Sequence, residues 1–247
     1  MDQQTLSDLE IKIASELAEL GKDTPYVADA NEPDPRYLGY GVRAPAMRTY
    51  LAGLKPALAS LPIESKVDLA QKLIQSGYGE QKNVALFLLE DASNYFAPNN
   101  FDLLEAIFLG LHGWSKIDGF TKQFLPAILS QHPEPVLDLV GQWNNSSDLW
   151  LRRASVVLFT RKLAKDPNLK DIALAHCQNL LHDPEHLVQT GVGWCLRDLM
   201  RSHKTEVLDF VTALRRQGVT SKITLYALRD IKGSERDRAL AVRPKKG

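Results

Sequence analysis

The chain has 247 residues, 44% of them hydrophobic, which is enough for one large domain or two small ones with a real core. Its only cysteines, Cys177 and Cys195, lack the spacing of a metal or disulfide motif, which favours a reducing, cytoplasmic compartment. The sequence has no apolar run of about 18 residues, and its acidic, amphipathic N-terminus does not resemble a signal peptide, so we expect no membrane association.

Formal charge is balanced over the whole chain but not along it. Residues 1–149 contain 11 Lys/Arg and 20 Asp/Glu, a net charge of −9, whereas residues 150–247 contain 19 and 10, a net charge of +9. This asymmetry indicates a C-terminal half that faces a polyanion, although ordinary solvated helix faces explain it equally well.

Helical periodicity dominates the chain after a first amphipathic segment at 6–20. Apolar residues recur at three- and four-residue spacing, which predicts further helices at 62–77, 80–92, 99–111, 118–131, 134–143, 148–164, 169–181, 184–202, 204–218 and 221–231. The longest irregular stretch is 21–40, and no segment alternates as a strand does.

So many helices with short, proline-containing links favour an all-α fold rather than a four-helix bundle. We expect an α-solenoid of stacked antiparallel helical pairs, which can present a concave surface. The predicted organisation is a single domain over 1–232 and a basic, unstructured tail over 233–247.

Four side chains follow the spacing of such a repeat. Trp114 and Asp118 lie one helical turn apart, Arg153 follows 35 residues later, and Trp194 follows 41 residues after that. Each lies to one side of the apolar stripe of its own helix, so we expect residues at the rim of the core rather than in it. The alternative is that a neighbouring helix covers them. Such a set suits a stacked, phosphate-bearing and cationic ligand.

Three segments carry a resemblance to a known family. HGWSKIDGF, LWLRRASVVLF and HLVQTGVGWCLRD, in this order, resemble the AlkD-like DNA alkylation repair family, which are DNA glycosylases built from HEAT-like repeats. Upstream, LGYGVRAPAMRTYLAGL and GYGEQKNVALFLLE resemble two further segments of the family, so the resemblance spans about residues 26–200. Two features depart from the pattern: Thr190 replaces a common basic residue, and the net charge is neutral.

The resemblance implies a right-handed solenoid of HEAT-like repeats whose concave groove faces DNA. It also implies a monofunctional DNA glycosylase, a hydrolase that removes cationic alkylated purines, mainly 3-methyladenine and 7-methylguanine, from double-stranded DNA without flipping the base. It implies that Asp118 is the catalytic carboxylate and that Trp114 and Trp194 contact the deoxyribose of the damaged nucleotide. By the same resemblance Arg153 binds the DNA backbone near the lesion and Tyr26 contacts the DNA. We expect a cytoplasmic monomer that associates with the bacterial nucleoid when it is engaged on DNA.

The basic C-terminal half also provides cations for sequence-independent phosphate contacts. The candidates are Arg197, Lys204, Arg215, Arg216, Lys222 and the tail. We expect no cofactor and no metal, because His182 and His186 flank Pro184 without a third ligand nearby in the sequence. The alternative function is a non-catalytic helical-repeat scaffold that binds nucleic acid or protein in the same groove.

Overall fold

The structure, a computed structural model, describes residues 3–27 and 34–244. Within these ranges it is all-helical and has no strand beyond an isolated bridge between Leu38 and Tyr78, which confirms the all-α fold class. Residues 28–33 of the predicted irregular stretch and the last three of the predicted tail lie outside the described residues. None of the described helices combines the length and the apolar character that a membrane crossing requires.

The chain divides into two compact units, residues 1–132 and 133–247, where the sequence predicts a single domain over 1–232. In the first unit the described helices are α1 (Gln3–Gly21), α2 (Ala44–Ala59), α3 (Ile63–Gln75), α4 (Gly79–Leu88), α5 (Phe101–Leu111), α6 (Trp114–Gln123) and α7 (Leu125–Gln131). Alternate helices pack side by side, so that α1, α3 and α5 form one layer and α2, α4 and α6 form another. This layering is typical of stacked helical pairs.

The second unit has the same alternation. Its described helices are α8 (Pro133–Trp143), α9 (Leu149–Val157), α10 (Pro167–Asn179), α11 (His186–Met200), α12 (Lys204–Arg216), α13 (Ser221–Ala227) and α14 (Ser234–Ala241). Helix α11 packs between α9 and α13 in one layer, while α12 packs against α14 in the other. Helix α11 is therefore the central element of this unit, and most of its residues are buried.

A cluster of aromatic side chains holds α6 in the first unit. The rings of Phe120 and Phe124 stack with centroids 4.4 Å apart, and Phe108 of α5 lies 5.0 Å from Phe120. Phe96, from the turn before α5, meets Phe124 edge to face at 5.4 Å. Each such pair adds about 0.5–1.5 kcal/mol to the free energy gained from burial alone. The apolar face of α6 is therefore fixed against α5 and the preceding turn.

Hydrogen bonds join the two upstream segments that carry the family resemblance, LGYGVRAPAMRTYLAGL and GYGEQKNVALFLLE. The Glu80 carboxylate, at the start of α4, accepts the backbone N–H groups of Tyr40, Gly41 and Val42 at 3.0–3.1 Å. The rings of Tyr40 and Tyr78 stack at 4.1 Å beside this contact. The Glu80 carboxylate is buried, and the three N–H donors replace the hydrogen bonds that it would otherwise make with water. Glu80 therefore ties the irregular chain before α2 to α4.

The second unit differs from the prediction at the end of α9. The pattern predicts a helix to residue 164, but α9 ends at Val157, and the turn residues 158–160 lead to Arg161, which adopts a left-handed conformation with φ of 56°. Its backbone N–H donates to the carboxylate of Asp198, 37 residues away, instead of continuing a helix. In the first unit, α2 forms where the sequence analysis predicts no helix, with Pro45 in its first turn, where a missing N–H is tolerated.

The structure of the C-terminal tail differs from the sequence prediction. Residues 234–241 form α14, where the sequence predicts an unstructured chain from residue 233 onward. The Arg215 guanidinium donates to the backbone carbonyls of Ala239 at 2.9 Å and Leu240 at 3.2 Å, and so ties the end of α14 to α12. This contact is tertiary, and the composition of the tail does not reveal it.

The close approach of α11 and α13 generates a prediction about Gly193. A Cβ atom at Gly193 would lie 2.7 Å from the Cβ of Tyr226 and 3.1 Å from the carbonyl oxygen of Ile223. We expect Gly193→Ala to lower the free energy of unfolding by about 1–3 kcal/mol, because the two helices must separate. In Gly141→Ala, the matched control on α8, the new methyl group meets nothing within 4 Å. That variant should keep or gain stability in urea unfolding; equal losses would contradict the close packing.

Candidate functional site

Helix α6 carries the first pair of predicted site residues. A turn with positive φ at His112 and Gly113 leads into α6, which begins at Trp114 and holds Asp118 one turn later. Trp114 is 37% exposed, which confirms the rim prediction for this residue. Asp118 is only 4% exposed, so the rim prediction is wrong for the carboxylate, which lies within the helical layers.

The polar face of α6 is attached to α4. Lys116 Nζ donates to Asn83 Oδ1 at 2.7 Å, across the two helices. The same turn of α4 begins with Glu80, which binds the chain before α2. With the aromatic cluster on its other face, α6 is held on both sides, so Trp114 and Asp118 keep a fixed geometry. A fixed carboxylate acts on a developing positive charge without a reorganisation cost.

The arginine pair on α9 is buried in the second unit. Arg153 is 5% exposed, and its Nη1 donates to the carbonyl oxygen of Leu187 and, at 3.2 Å, to Thr190 Oγ1. The rim prediction is therefore wrong for Arg153, whose side chain joins α9 to the first turns of α11. Its neighbour Arg152 forms an ion pair with Asp183, with Nε and Oδ2 2.6 Å apart. Thr190, the departure from the family pattern, thus binds an arginine on the adjacent helix.

Trp194 lies in the middle of α11. It is 8% exposed, and its indole N–H donates to Asp198 Oδ2 at 3.0 Å. The rim prediction is therefore wrong for Trp194 as well, which lies on a helix packed between α9 and α13. Thr190, Trp194 and Asp198 are spaced by four residues and share one face of α11. Arg153 binds the first residue of this row.

The carboxylate of Asp198, the last residue of that row, interacts with donor groups of four residues. Its Oδ2 also accepts the backbone N–H of Arg161 at 3.0 Å, and its Oδ1 accepts the guanidinium of Arg197 at 2.9 and 3.1 Å. Arg201 forms a further ion pair at 3.4 Å. The guanidinium of Arg161 lies 5.5 Å above the Trp194 ring. Neither Asp198 nor Arg161 is among the residues predicted from the sequence, although the four-residue spacing from Trp194 and the flanking arginines are a signal for Asp198.

The predicted phosphate-binding cations are largely engaged within the protein. The guanidinium of Arg197 lies 5.4 Å from the Tyr226 ring centroid and forms an ion pair with Asp198. Lys204 forms an ion pair with Glu235 at 2.5 Å. Arg215 binds carbonyls of α14, as described above. Arg216 and Lys222 are exposed. Tyr26 is 39% exposed, and its ring lies over Gly39.

Charge follows the two units. Residues 1–132 contain 11 Lys/Arg and 17 Asp/Glu, a net charge of −6, whereas residues 133–247 contain 19 and 13, a net charge of +6. Asp118 therefore belongs to the acidic unit, and Arg153, Arg161 and Trp194 belong to the basic one. In the described parts of the chain, no three His, Cys, Asp or Glu side chains lie close enough to hold a metal ion.

Comparisons with known proteins identify the family of the chain and agree with its fold. The family model for DNA alkylation repair enzymes matches residues 33–231, so the chain belongs to the DNA alkylation repair enzyme family. A solved structure, a predicted DNA alkylation repair enzyme from Enterococcus faecalis, is similar to this chain with a TM-score of 0.69 and 15% sequence identity. The similarity covers 90% of this chain and 96% of the other, and it shows a shared fold. No curated protein sequence matches the chain.

The support of α9 by α10 generates a prediction about pH. His176 Nδ1 lies 3.2 Å from the Ser155 carbonyl oxygen, and burial lowers the pKa of His176 below its usual 6.5. The unfolded chain therefore binds the proton first as the pH falls. The stability due to neutral His176 is complete above about pH 6.5 and is lost as the pH falls toward the lowered pKa.

We expect His176→Asn, whose amide N–H replaces the ring donor, to flatten the fall of unfolding free energy as the pH decreases below about 6.5. Urea unfolding at a series of pH values measures this slope. His182→Asn, at an exposed position, is the matched control and should leave the slope unchanged. An unchanged slope in His176→Asn would contradict the assignment.

Proposed function

We propose that this chain is a monofunctional DNA glycosylase that hydrolyses the N-glycosidic bond of cationic alkylated purines, such as 3-methyladenine and 7-methylguanine, in duplex DNA. One observation carries the proposal: in a member of a DNA alkylation repair family, an exposed Trp114 begins α6 and a buried Asp118 follows one turn later. The proposal assigns Asp118 the role of the catalytic carboxylate.

The chemistry needs a negative charge more than it needs an acid. As the N-glycosidic bond breaks, its electron pair leaves with the purine, so a cationic alkylpurine departs neutral and needs no proton. Positive charge develops on the deoxyribose, and water then adds at the same carbon and loses a proton to a base or to solvent. A carboxylate about 4 Å from that charge, at an effective dielectric constant of about 20, contributes roughly 4 kcal/mol, or about a thousandfold in rate. Asp118 is the residue proposed to supply it.

The tryptophans are proposed to surround the same sugar. An aromatic face near a cation contributes about 1 kcal/mol at a partly exposed position, and the exposed ring of Trp114 is suited to this contact. Trp194 is mostly covered, so we propose that it contacts the nucleotide with an edge while Asp198 fixes its ring. An undamaged neutral purine is a poor leaving group, so the lesion supplies much of the selectivity. Action without base flipping follows from the family resemblance and is part of the proposal, although most glycosylases flip their target.

The DNA backbone is proposed to lie along the basic residues. Arg153 is assigned to a phosphate near the lesion, and Tyr26, Arg197 and Lys204 to further DNA contacts. The intramolecular bonds of Arg153 and Arg197 hold their side chains in defined positions. Pre-positioned cations lose less side-chain entropy when they bind a phosphate. For Lys204 the cost is the loss of its ion pair with Glu235.

The proposal is tested by release of 7-methylguanine from methylated duplex DNA. We expect the wild-type protein to release the base and Asp118→Asn to lose about a thousandfold in single-turnover rate, since the variant cannot stabilise the sugar cation. DNA affinity should be unchanged or higher in the variant, because one negative charge near the backbone disappears.

The matched control is Asp102→Asn, which removes the same charge from an exposed position on α5 of the same unit. It should excise the base at the wild-type rate. Wild-type protein that binds DNA but releases no base would favour the non-catalytic scaffold. Equal excision by wild type and Asp118→Asn would move the catalytic role to another residue.

The proposed phosphate contact of Arg153 has its own test. We expect Arg153→Ala to weaken binding to duplex DNA and to reduce the slope of log affinity against log salt by about 0.9, the amount for one phosphate. Because Arg153 also binds Leu187 and Thr190, the variant should lose stability too.

Arg152→Ala is the matched control for that loss of stability. Arg152 is the adjacent residue and forms an ion pair with Asp183 inside the protein, so its removal should destabilise the fold and leave the salt slope unchanged. Binding measured by fluorescence anisotropy at several salt concentrations separates the two variants. The same slope for Arg153→Ala and wild type would contradict a phosphate contact.

A further inference from the structure

Arg161 has a backbone conformation that its sequence does not explain. It follows α9 with a φ of 56°, a left-handed value that glycine adopts readily and that other residues adopt at a cost. The side chain is exposed, and within the described part of the chain the polar and aromatic partners of Arg161 lie on α11. Strained residues of this kind persist where the surrounding structure holds them, and they cluster at functional sites.

Two residues of α11 hold Arg161 from the backbone and from the side chain. The carboxylate of Asp198, 2% exposed, accepts the Arg161 N–H at 3.0 Å, and the Arg161 guanidinium lies 5.5 Å above the Trp194 ring. Asp198 also accepts the indole N–H of Trp194. The buried carboxylate of Asp198 therefore holds both the Trp194 ring and the backbone of Arg161, whose guanidinium lies over that ring.

Arg161 differs from four other cations of the second unit. Arg152, Arg197, Arg201 and Lys204 each pair with a carboxylate. The Arg161 guanidinium makes no hydrogen bond or ion pair with the residues that the structure describes, and its contact is with an aromatic ring. A guanidinium that lies over a ring keeps five N–H donors at its edge for a planar, bidentate anion.

We infer that Arg161 binds a phosphate of the DNA backbone and that Asp198 is the residue that positions it. This inference rests on the proposed function, because a DNA substrate supplies the phosphate. It adds to that function a contact that neither the family resemblance nor the charge of the chain identifies. The second unit has a net charge of +6, so a polyanion is favoured there over an acidic protein surface of low charge density.

Arg161→Gly separates a binding role from a structural one. Glycine removes the side chain and relieves the left-handed strain, so we expect a Tm equal to or above that of the wild type. The affinity for a short labelled duplex of undamaged DNA should fall about five- to tenfold at about 0.1 M salt, and the salt slope should fall by about 0.9. The matched control is Lys162→Gly, at the next residue, which is also exposed and has an ordinary φ of −66°. It should change affinity less than about twofold.

These outcomes distinguish the inference from the proposed function. Undamaged DNA tests the phosphate contact without excision, so a chain that binds through Arg161 and releases no base would overturn the glycosylase and keep the contact. Unchanged DNA affinity in Arg161→Gly, or equal losses of affinity in both glycine variants, would overturn the Arg161 contact. The proposed glycosylase activity would still stand. Wild-type protein that does not bind the duplex would overturn both.

The positioning role of Asp198 requires a double-mutant cycle. In an Asp198→Asn background, the Arg161→Gly substitution should change DNA affinity less than about twofold, because the arginine is no longer held over Trp194. An undiminished five- to tenfold loss in that background would show that Asp198 does not position Arg161. If Asp198→Asn fails to fold, Asp198→Glu, which keeps the charge and moves the carboxylate, replaces it in the same cycle. An undiminished five- to tenfold loss in the Asp198→Glu background would likewise show that Asp198 does not position Arg161.

Discussion

Buried carboxylates that accept backbone N–H groups hold the irregular segments of this helical chain. Glu80 binds three successive N–H groups before α2, and Asp198 binds the N–H of Arg161 after α9. A hydrogen bond to a charged group contributes about 1.5–3 kcal/mol, and an N–H left without its partner in the interior costs a comparable amount. Helices alone do not specify where a loop lies. These carboxylates do, and each of them acts from a helix that is itself packed in a layer.

This role of carboxylates divides the family-like segments into two kinds. LGYGVRAP and GYGEQ are joined by Glu80 and carry no proposed chemistry, so their resemblance to the family reflects the scaffold. GWSKID supplies the proposed catalytic pair. QTGVGWCLRD does both, because Gly193 permits the close packing of α13 while Trp194 and Asp198 organise Arg161. A motif match is therefore insufficient to assign a catalytic role, and the contacts of each residue decide it.

The sequence predicts most of the helices, because apolar periodicity is a local property that each helix displays by itself. It does not predict the end of α9, which depends on Asp198, or α14, which depends on Arg215. Helical-wheel angles place Asp118, Arg153 and Trp194 beside their apolar stripes, but an angle does not reveal which neighbouring helix lies on that side. Trp114 is exposed as predicted, since it begins its helix after a turn. For the end of α9, for α14 and for Arg153, the deciding contacts join residues more than 20 positions apart.

The fixed position of Asp118 bears on a conflict in the proposed reaction. A carboxylate near DNA repels the phosphates and so costs affinity for every sequence. A carboxylate held at one position acts most strongly on the charge nearest to it, because the Coulomb energy falls with distance. An alkylated purine is already cationic, and as its bond breaks the positive charge moves from the base to the sugar. A carboxylate beside the sugar thus gains interaction energy as the reaction proceeds, whereas one beside the base would lose it. In the proposed reaction, the rate therefore depends on the position of Asp118 relative to the sugar rather than to the lesion.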